Sequence, residues 1–318
     1  MMDPSSEGYI LIAANKHHYL ELAVSAACSL KYSDDRPIAL MISGGLSVPK
    51  CYSGLFDQII AFDPPPPYDG MFVRRFVLEN YSPFARCMHI DADCLLIGDD
   101  IDRFWTMFAD RPFGVMANLK TSGKCYRDTM DVDEVVKSGI APGVYITNWG
   151  VFYYENTGDN IVLANGRKLL EMMLNDDESI KTSYFSRPGQ LSDEPLWGIG
   201  LAQTDIEVPE HDYGALLQLT SPNTSNHHFN FAGRRFYARK GGIPKARGQI
   251  YHFAAMNPLD GYLDGTKFYR DECGIPLPAI ISDAGTKLDP QEWTGDTTAA
   301  ATQMMTETRP TFQFALAD

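Results

Sequence analysis

Several things are scarce in this 318-residue chain, and each scarcity removes a class of protein. Its six cysteines, Cys28, Cys51, Cys87, Cys94, Cys125 and Cys273, form no CxxC pair and no closely spaced framework, so neither a zinc ribbon nor a disulfide scaffold is indicated. Positive charge is also scarce: 27 Lys and Arg face 41 Asp and Glu, a net charge of -14. That balance argues against binding nucleic acid through a general basic surface, because Lys and Arg on phosphate supply most of such affinity, and it leaves room only for a local groove. No stretch approaches the ~18 consecutive apolar residues of a membrane span. The opening MMDPSSEGYILIAAN has no basic segment followed by a long apolar run, so the expectation is a soluble cytoplasmic protein in which the sequons at Asn80 and Asn223 are chance matches. Finally, the loop AANKHH after the first apolar run holds no glycine, which excludes the G-x-G-x-x-G turn of a dinucleotide-dependent oxidoreductase.

What is present is enough apolar material, 44% of residues, to fill a substantial core. YILIAA, IALMIS and QIIAF are compact apolar runs closed by turn residues, and each is predicted to be a buried strand. Between them, Leu20, Ala23, Val24, Ala27 and Leu30 recur at helical spacing; Phe72 to Asn80 also looks helical, and MHIDAD is expected as a fourth strand. Alternating strands and helices over the first hundred residues predict an α/β fold with a Rossmann-like, mostly parallel sheet flanked by helices. Beyond Arg111 the pattern loosens: FGVMAN, GVYIT and VFYYE read as strands and Asn160 to Asn175 as a helix. The expected organisation is one domain over 1–282, with a nucleotide-binding half of about 1–110 and a smaller acceptor-side half of about 111–282. A Thr-, Ala- and Asp-rich tail over 283–318 lacks a sustained apolar period and is expected to be flexible.

One segment asks for a chemical explanation. CMHIDADCLLIGDDIDRFW runs an apolar strand into Asp91 and Asp93 and then continues apolar. Two carboxylates at a strand end repel and resist burial, so a cationic partner is expected. Residues two apart on a strand share a face, and a divalent ion with oxygen ligands would satisfy both at the carboxyl end of the sheet, where open α/β folds bind ligands. Such an ion would neutralise a diphosphate leaving group. A lone D-x-D is otherwise a common pattern of solvated loop-edge aspartates.

HIDADCLLIGDDIDRFW resembles the D-x-D segment of nucleotide-sugar glycosyltransferases of the GT-A fold, of the family that contains glycogenin and bacterial galactosyltransferases. Further segments follow in the family's order, over roughly residues 9 to 262. The resemblance of ILIAANKHHYLELAVSAACSL implies nucleotide contacts from Ala14, Asn15 and Tyr19, and that of VRRF implies a diphosphate contact from Arg75, with Arg74 as the lesser choice. Asp91, Ala92 and Asp93 would join them. YITNWGVFYYEN is similar to the family's N-S-G strand, placing Asn148 and Gly150 by the donor sugar. SDEPLW is similar to its D-Q segment, placing Asp193 beside the anomeric carbon. IYHFAAMNP is similar to its H-F-x-G-x-x-K-P-W segment, making His252 a metal ligand with Asp91 and Asp93. Three departures stand out: Trp149 replaces a small residue, Glu194 replaces glutamine, and the last segment lacks its glycine and lysine, with Asn257-Pro258 roughly where Lys-Pro belongs. Lys267 and Arg270 are the nearby cations that would have to supply the missing contact.

The resemblance therefore implies a hexosyltransferase using a UDP-sugar and Mn²⁺ or Mg²⁺, with retention of configuration and Arg75, Asn148 and Asp193 in the catalytic roles. The alternatives are a degenerate member that binds the donor without turnover, and a D-x-D phosphohydrolase, although the latter carries its motif on a first strand. Read without the family, Arg75 is a solvated helix face, His252 a core histidine, Tyr19 an interfacial aromatic, and Asp193 the N-cap of a helix opened by Glu194 and Pro195. His89 shares a strand face with Asp91 and reads as packing or as a supporting group. His17-His18 and His227-His228 are adjacent, so their rings diverge and neither pair chelates. HHFNFAGRRFYARKGG, with Arg234, Arg235, Arg239 and Lys240, could line a site for the acceptor, whose class stays open among a glycan, a protein, a lipid head group and a modified nucleic-acid base.

Overall fold

In the computed structural model, residues 6–70, 72–126, 130–175, 193–221, 223–254 and 257–277 are described. The chain divides into two units, Met1–Pro276 and Leu277–Asp318. The predicted tail over 283–318 lies outside the described residues. No helix among the described residues is long and apolar enough to cross a membrane.

The central sheet forms from the predicted apolar runs. Strands β1 (Glu7–Ala14), β2 (Ile38–Ser43), β3 (Gln58–Ala61) and β4 (Arg86–Ile90) run parallel in the order β3-β2-β1-β4. The chain then leaves this sheet. The expected strand MHIDAD ends at Ile90, Asp91 to Asp93 form a turn closed by Cys94 N–H donating to Asp91 C=O at 3.0 Å, and β5 (Cys94–Leu96) belongs to another sheet. Strands β6 (Phe113–Gly114) and β7 (Val151–Glu155) complete the first sheet as antiparallel members, β7 lying directly beside β4. Of the loosely patterned runs, FGVMAN yields β6 and, at its last residue, the start of a strand over Asn118–Lys120, with which Val144–Ile146 of GVYIT pairs in a separate two-stranded sheet.

A second sheet is built from β5 and two later strands. β8 (Leu216–Thr220) is parallel to a strand at Gly248–His252, and that strand is antiparallel to β5, with His252 opposite Cys94. Between them a third, antiparallel sheet carries β9 (Thr224–Asn230), β10 (Arg235–Lys240) and β11 (Ile243–Ala246), so the strand ending in His252 is β12. In β9 the adjacent histidines diverge as the strand period demands: His227 faces Phe229 and Tyr251, while His228 stacks on Tyr237 with ring centroids 4.4 Å apart.

Helix α1 (His17–Ser33) follows β1 and is buried almost all round from Leu20 to Leu30, packing on β1, β5 and the last helix. The segment predicted as a helix from Phe72 is a 3-10 helix, Val73–Asn80, with a kink at Val77. Helices α2 (Asp102–Phe108) and α3 (Val132–Lys137) are short; α4 (Ile161–Leu174) is capped by Asn160, whose side chain accepts from Val162 N–H at 3.2 Å. Helix α5 (Glu194–Ala202) packs on α4, and Trp197 from it stacks with Trp149, Phe113 and Phe152 in the main core. Trp149 points into this core, which is how a large residue is accommodated between Asn148 and Gly150.

Helix α6 (Leu259–Glu272) closes the unit against α1. Arg270, fully buried, donates to Ser25 Oγ at 3.1 Å, to Glu21 Oε2 at 2.7 Å and to the Pro276 carbonyl at 2.9 Å. It is a tie between helices; Lys267 on the same helix is exposed. Truncating one member of a buried ion pair leaves the other charge uncompensated. Arg270→Met is therefore expected to lower unfolding stability by about 3–5 kcal/mol, read by denaturant titration, with Lys267→Ala unchanged within about 0.5 kcal/mol.

Candidate active site

The carboxyl ends of β4 and β12 and the start of β7 meet, and most of the residues singled out in the sequence gather there. The turn after β4 supplies Asp91 and Asp93, β12 ends in His252, the entry to β7 supplies Asn148 and Gly150, and α5 begins next to Asp193. Ala14 ends β1; Asn15 follows it, adopts φ 65 and turns the chain into α1, where Tyr19 lies close enough to Asp93 to feel its charge. Burial, reinforced by Asp93, pushes the Tyr19 hydroxyl up to about 12, so it stays neutral.

Arg75 occupies the middle of the cluster and is only 6% exposed. Its Nε donates to Asp193 Oδ2 at 3.1 Å and its Nη2 to the same oxygen, while Nη1 donates to Asp91 Oδ1 at 3.2 Å and to the Trp149 carbonyl at 2.7 Å. A cation taken out of water in this way persists only because carboxylates surround it. Against the cost of burial, Arg75 first and His89 second hold the Asp91 carboxyl down at about 2. Arg74, the lesser candidate, faces elsewhere: its guanidinium donates to Ser43 Oγ and to the carbonyls of Asp69 and Gly70.

Asp193 precedes α5 at the N-cap position but makes no capping hydrogen bond. Its Oδ2 instead takes Arg75 and the Trp197 indole N–H at 2.9 Å, because an ion pair with a buried guanidinium outweighs a cap on neutral amides. The neighbouring Glu194 faces Asn148, whose Nδ2 donates to Glu194 Oε1 at 3.4 Å. Burial first, and then the Asp193 charge, raise the Glu194 carboxyl to about 7.

Asn148 fixes the imidazole. Its Oδ1 accepts from Gly150 N–H at 3.0 Å, from Gln218 Nε2 at 2.8 Å and from His252 Nδ1 at 2.7 Å. The backbone N–H of Gly150 is a donor in every protonation state, so the oxygen is the atom that faces it, and His252 Nδ1 must carry a proton to join the same oxygen. That leaves Nε2 turned to Asp93 Oδ1, 3.1 Å away. With both ring nitrogens engaged, burial opposes the charged imidazole but the Asp93 carboxylate prevails, and the pKa of His252 is raised. Gly150 is required by the same geometry: a Cβ there would stand 2.7 Å from His252 Nδ1 and 2.9 Å from Asn148 Oδ1.

His89 is buried, contacts Asp91 Oδ1 through Nε2 at 3.1 Å and packs on the Phe152 ring. It therefore supports the D-x-D turn as well as filling the core. The donors turned towards one another are the Asp93 carboxylate, the Cys94 thiol and a ring nitrogen of His252, all within 4.8 Å; Asp91 is engaged by Arg75 and His89. A carboxylate and an imidazole whose other nitrogen is tied to an amide oxygen suit a divalent cation, so the residues present fit one. Sequence reading missed Gln218, Trp197 and Cys94. Gln218 had a signal: it is a polar residue flanked on both sides by buried leucines in the run LLQLT.

This architecture, a parallel β3-β2-β1-β4 sheet extended by antiparallel strands with an acidic turn after β4, is the GT-A fold. In solved structures it is matched by an active-site glutamine-to-glutamate mutant of LgtC at TM-score 0.51 and 15% identity, covering 86% of this chain and 98% of that one. The galactosyltransferase LgtC bound to donor and acceptor sugar analogs is a looser likeness, at TM-score 0.44 and 14% identity over 94% of this chain and 95% of that one. In sequence, no protein-family profile and no curated protein matches the chain.

Two outcomes test the geometry. Gly150→Ala should displace His252 and weaken divalent-cation binding at least about tenfold in calorimetric titration, with the circular dichroism of the native fold retained. A carboxyl whose folded pKa is raised contributes stability that is complete below its unfolded pKa and lost as pH rises through about 7, as for Glu194. In metal-free protein, Glu194→Gln should thus leave the melting temperature at pH 4 nearly unchanged and raise it at pH 8.

Proposed function

We propose that the protein is a metal-dependent glycosyltransferase that moves a hexose from a UDP-sugar to an acceptor, with retention of configuration. The observation that carries this reading is the Asn148-oriented His252 against Asp93, beside the carboxylate-bound Arg75, at the strand ends of a GT-A fold. Asp91, Asp93 and His252 would hold Mn²⁺ or Mg²⁺, as the family resemblance implies. When bound, such an ion supplies electrostatic stabilisation of a departing diphosphate.

The remaining roles belong to the chain itself. Ala14, Asn15 and Tyr19, on the turn from β1 into α1, would hold the nucleotide, with Ala92 closing the D-x-D turn beneath it. Arg75 keeps its charge in the buried cluster and is placed to favour negative charge developing beyond Asp91. Asn148 and Gly150 border the sugar, and Asp193 is held rigidly by Arg75 and Trp197 rather than left to rotate. Glu194 is the acid whose environment tunes it towards neutrality, and an anionic carboxylate near the anomeric carbon would steady an oxocarbenium-like transition state. It stands where the resemblance expects glutamine, the same exchange that the LgtC mutant structure carries by substitution.

A donor-binding protein without turnover is the second reading, favoured by the engagement of Arg75 with two carboxylates and by the absence of the lysine after His252. Incubation with a panel of UDP-, GDP- and TDP-sugars separates the two. An enzyme is expected to stabilise on one UDP-sugar in the presence of Mn²⁺ and to hydrolyse it slowly; affinity with no hydrolysis over days would overturn the catalytic reading. Asp93→Ala should abolish metal-dependent hydrolysis with the fold intact, and His252→Ala should weaken Mn²⁺ affinity at least about tenfold.

A further inference from the structure

Of the six cysteines, Cys94 has a setting that a buried apolar thiol does not need. Cys28 and Cys273 lie against each other where α1 meets the end of α6, with the Cys273 thiol 3.6 Å from the Cys28 carbonyl, and Cys87 donates to the Phe84 carbonyl. Cys51 is exposed. Cys94 alone follows the acidic turn directly and sits opposite His252 in the antiparallel β5–β12 register. Opposed residues of such a pair project from the same face, and its Sγ lies within 4.8 Å of both the Asp93 carboxylate and a ring nitrogen of His252. Ligands of a tetrahedral ion, each about 2.0–2.3 Å from it, lie roughly 3.3–3.8 Å apart, so the three donors close on an ion by drawing in by up to about 1 Å. Among the described residues no other set of three such side chains comes together.

The first aspartate of the motif has one oxygen engaged elsewhere. Asp91 Oδ1 takes Arg75 at 3.2 Å and His89 at 3.1 Å, and both partners are buried. That oxygen stays with the buried guanidinium, whereas among the described residues Asp91 Oδ2 and the Cys94 thiol carry no ion pair to give up.

We propose that Cys94 is a direct ligand of the cation held by Asp93 and His252, and that its sulfur makes the site select thiophilic divalent ions, Zn²⁺, Co²⁺ or Cd²⁺, over Mg²⁺. Binding converts the thiol to a thiolate: the S–H bond breaks, the sulfur lone pair enters the coordination shell, and the proton passes to solvent, with no change of oxidation state. Sulfur donors favour borderline and soft ions, whereas a site of oxygen and nitrogen donors alone tolerates Mg²⁺ and Mn²⁺. The inference rests on the cation-binding reading of the site and narrows it.

Titration of the metal-free full chain with Co²⁺ tests it. The wild type should develop the near-ultraviolet absorption of a thiolate-to-cobalt charge transfer; Cys94→Ser should lose it, and Cys51→Ser, at the exposed thiol, should keep it. Zn²⁺ and Cd²⁺ affinity should fall at least about tenfold in Cys94→Ser, while Mg²⁺ affinity changes by less than about threefold. Cys94→Ala serves as the second variant if serine at this buried position unfolds the chain, and the wild-type spectrum stands without either. Cobalt binding with no charge-transfer band, or a band that survives in both Cys94 variants, would overturn the assignment. If Mn²⁺ still binds and supports UDP-sugar hydrolysis in that case, the proposed function stands and only the sulfur ligand is lost; if no divalent ion binds the wild type, both fall.

Discussion

A single buried guanidinium holds the site together. Arg75 joins the 3-10 helix Val73–Asn80 to the D-x-D turn through Asp91, to the entry of β7 through the Trp149 carbonyl, and to the start of α5 through Asp193. Those four segments are far apart in sequence, and no backbone ladder connects all of them. A charge removed from water is stable only where its partners are fixed in number and direction, so the requirement to neutralise Arg75 fixes where the turn and the helix can sit. The same requirement keeps Asp91 ionised down to about pH 2 and costs Glu194 its usual acidity, since burial and the Asp193 charge both act on it.

A second constraint converts that frame into chemistry. The Asn148 side-chain oxygen gathers three donors, of which the Gly150 amide is unambiguous, and thereby settles both its own orientation and the protonated nitrogen of His252. The imidazole is left with one nitrogen facing Asp93. Supporting hydrogen bonds of this kind set the direction and basicity of a ligand before any ion arrives. Glycine at position 150 follows from the closeness of the approach and from no turn requirement, since only a residue without Cβ clears the ring.

The family's departures find physical accounts in this geometry. Trp149 is large, yet its side chain faces the aromatic core of Phe113, Phe152 and Trp197, and only its carbonyl reaches the site. Of the two cations on α6 near the missing lysine, Arg270 is tied to Glu21 and Ser25 and Lys267 is exposed. The basic run of β9 to β11 forms its own small sheet, in which His228 and Tyr237 present stacked rings beside Lys245.

The sequence by itself determined the elements whose signal is local. Compact apolar runs specified β1 to β3, the last two closed by Gly and Pro, helical spacing specified α1, Asn160 marked the start of α4, and the two aspartates after an apolar strand marked the place of the chemistry. Tertiary structure decided everything that depends on partners from distant segments. It broke the chain at Ile90 so that the aspartates occupy a turn and Cys94 begins another sheet, because β7 lies beside β4 while β5 pairs with β12. It gave Asp193 to Arg75 rather than to its helix end, and it brought Gln218 and Cys94 to the site. Periodicity reports which face a residue shows; it carries no information on which remote charge that face will meet, and burial makes that meeting decisive.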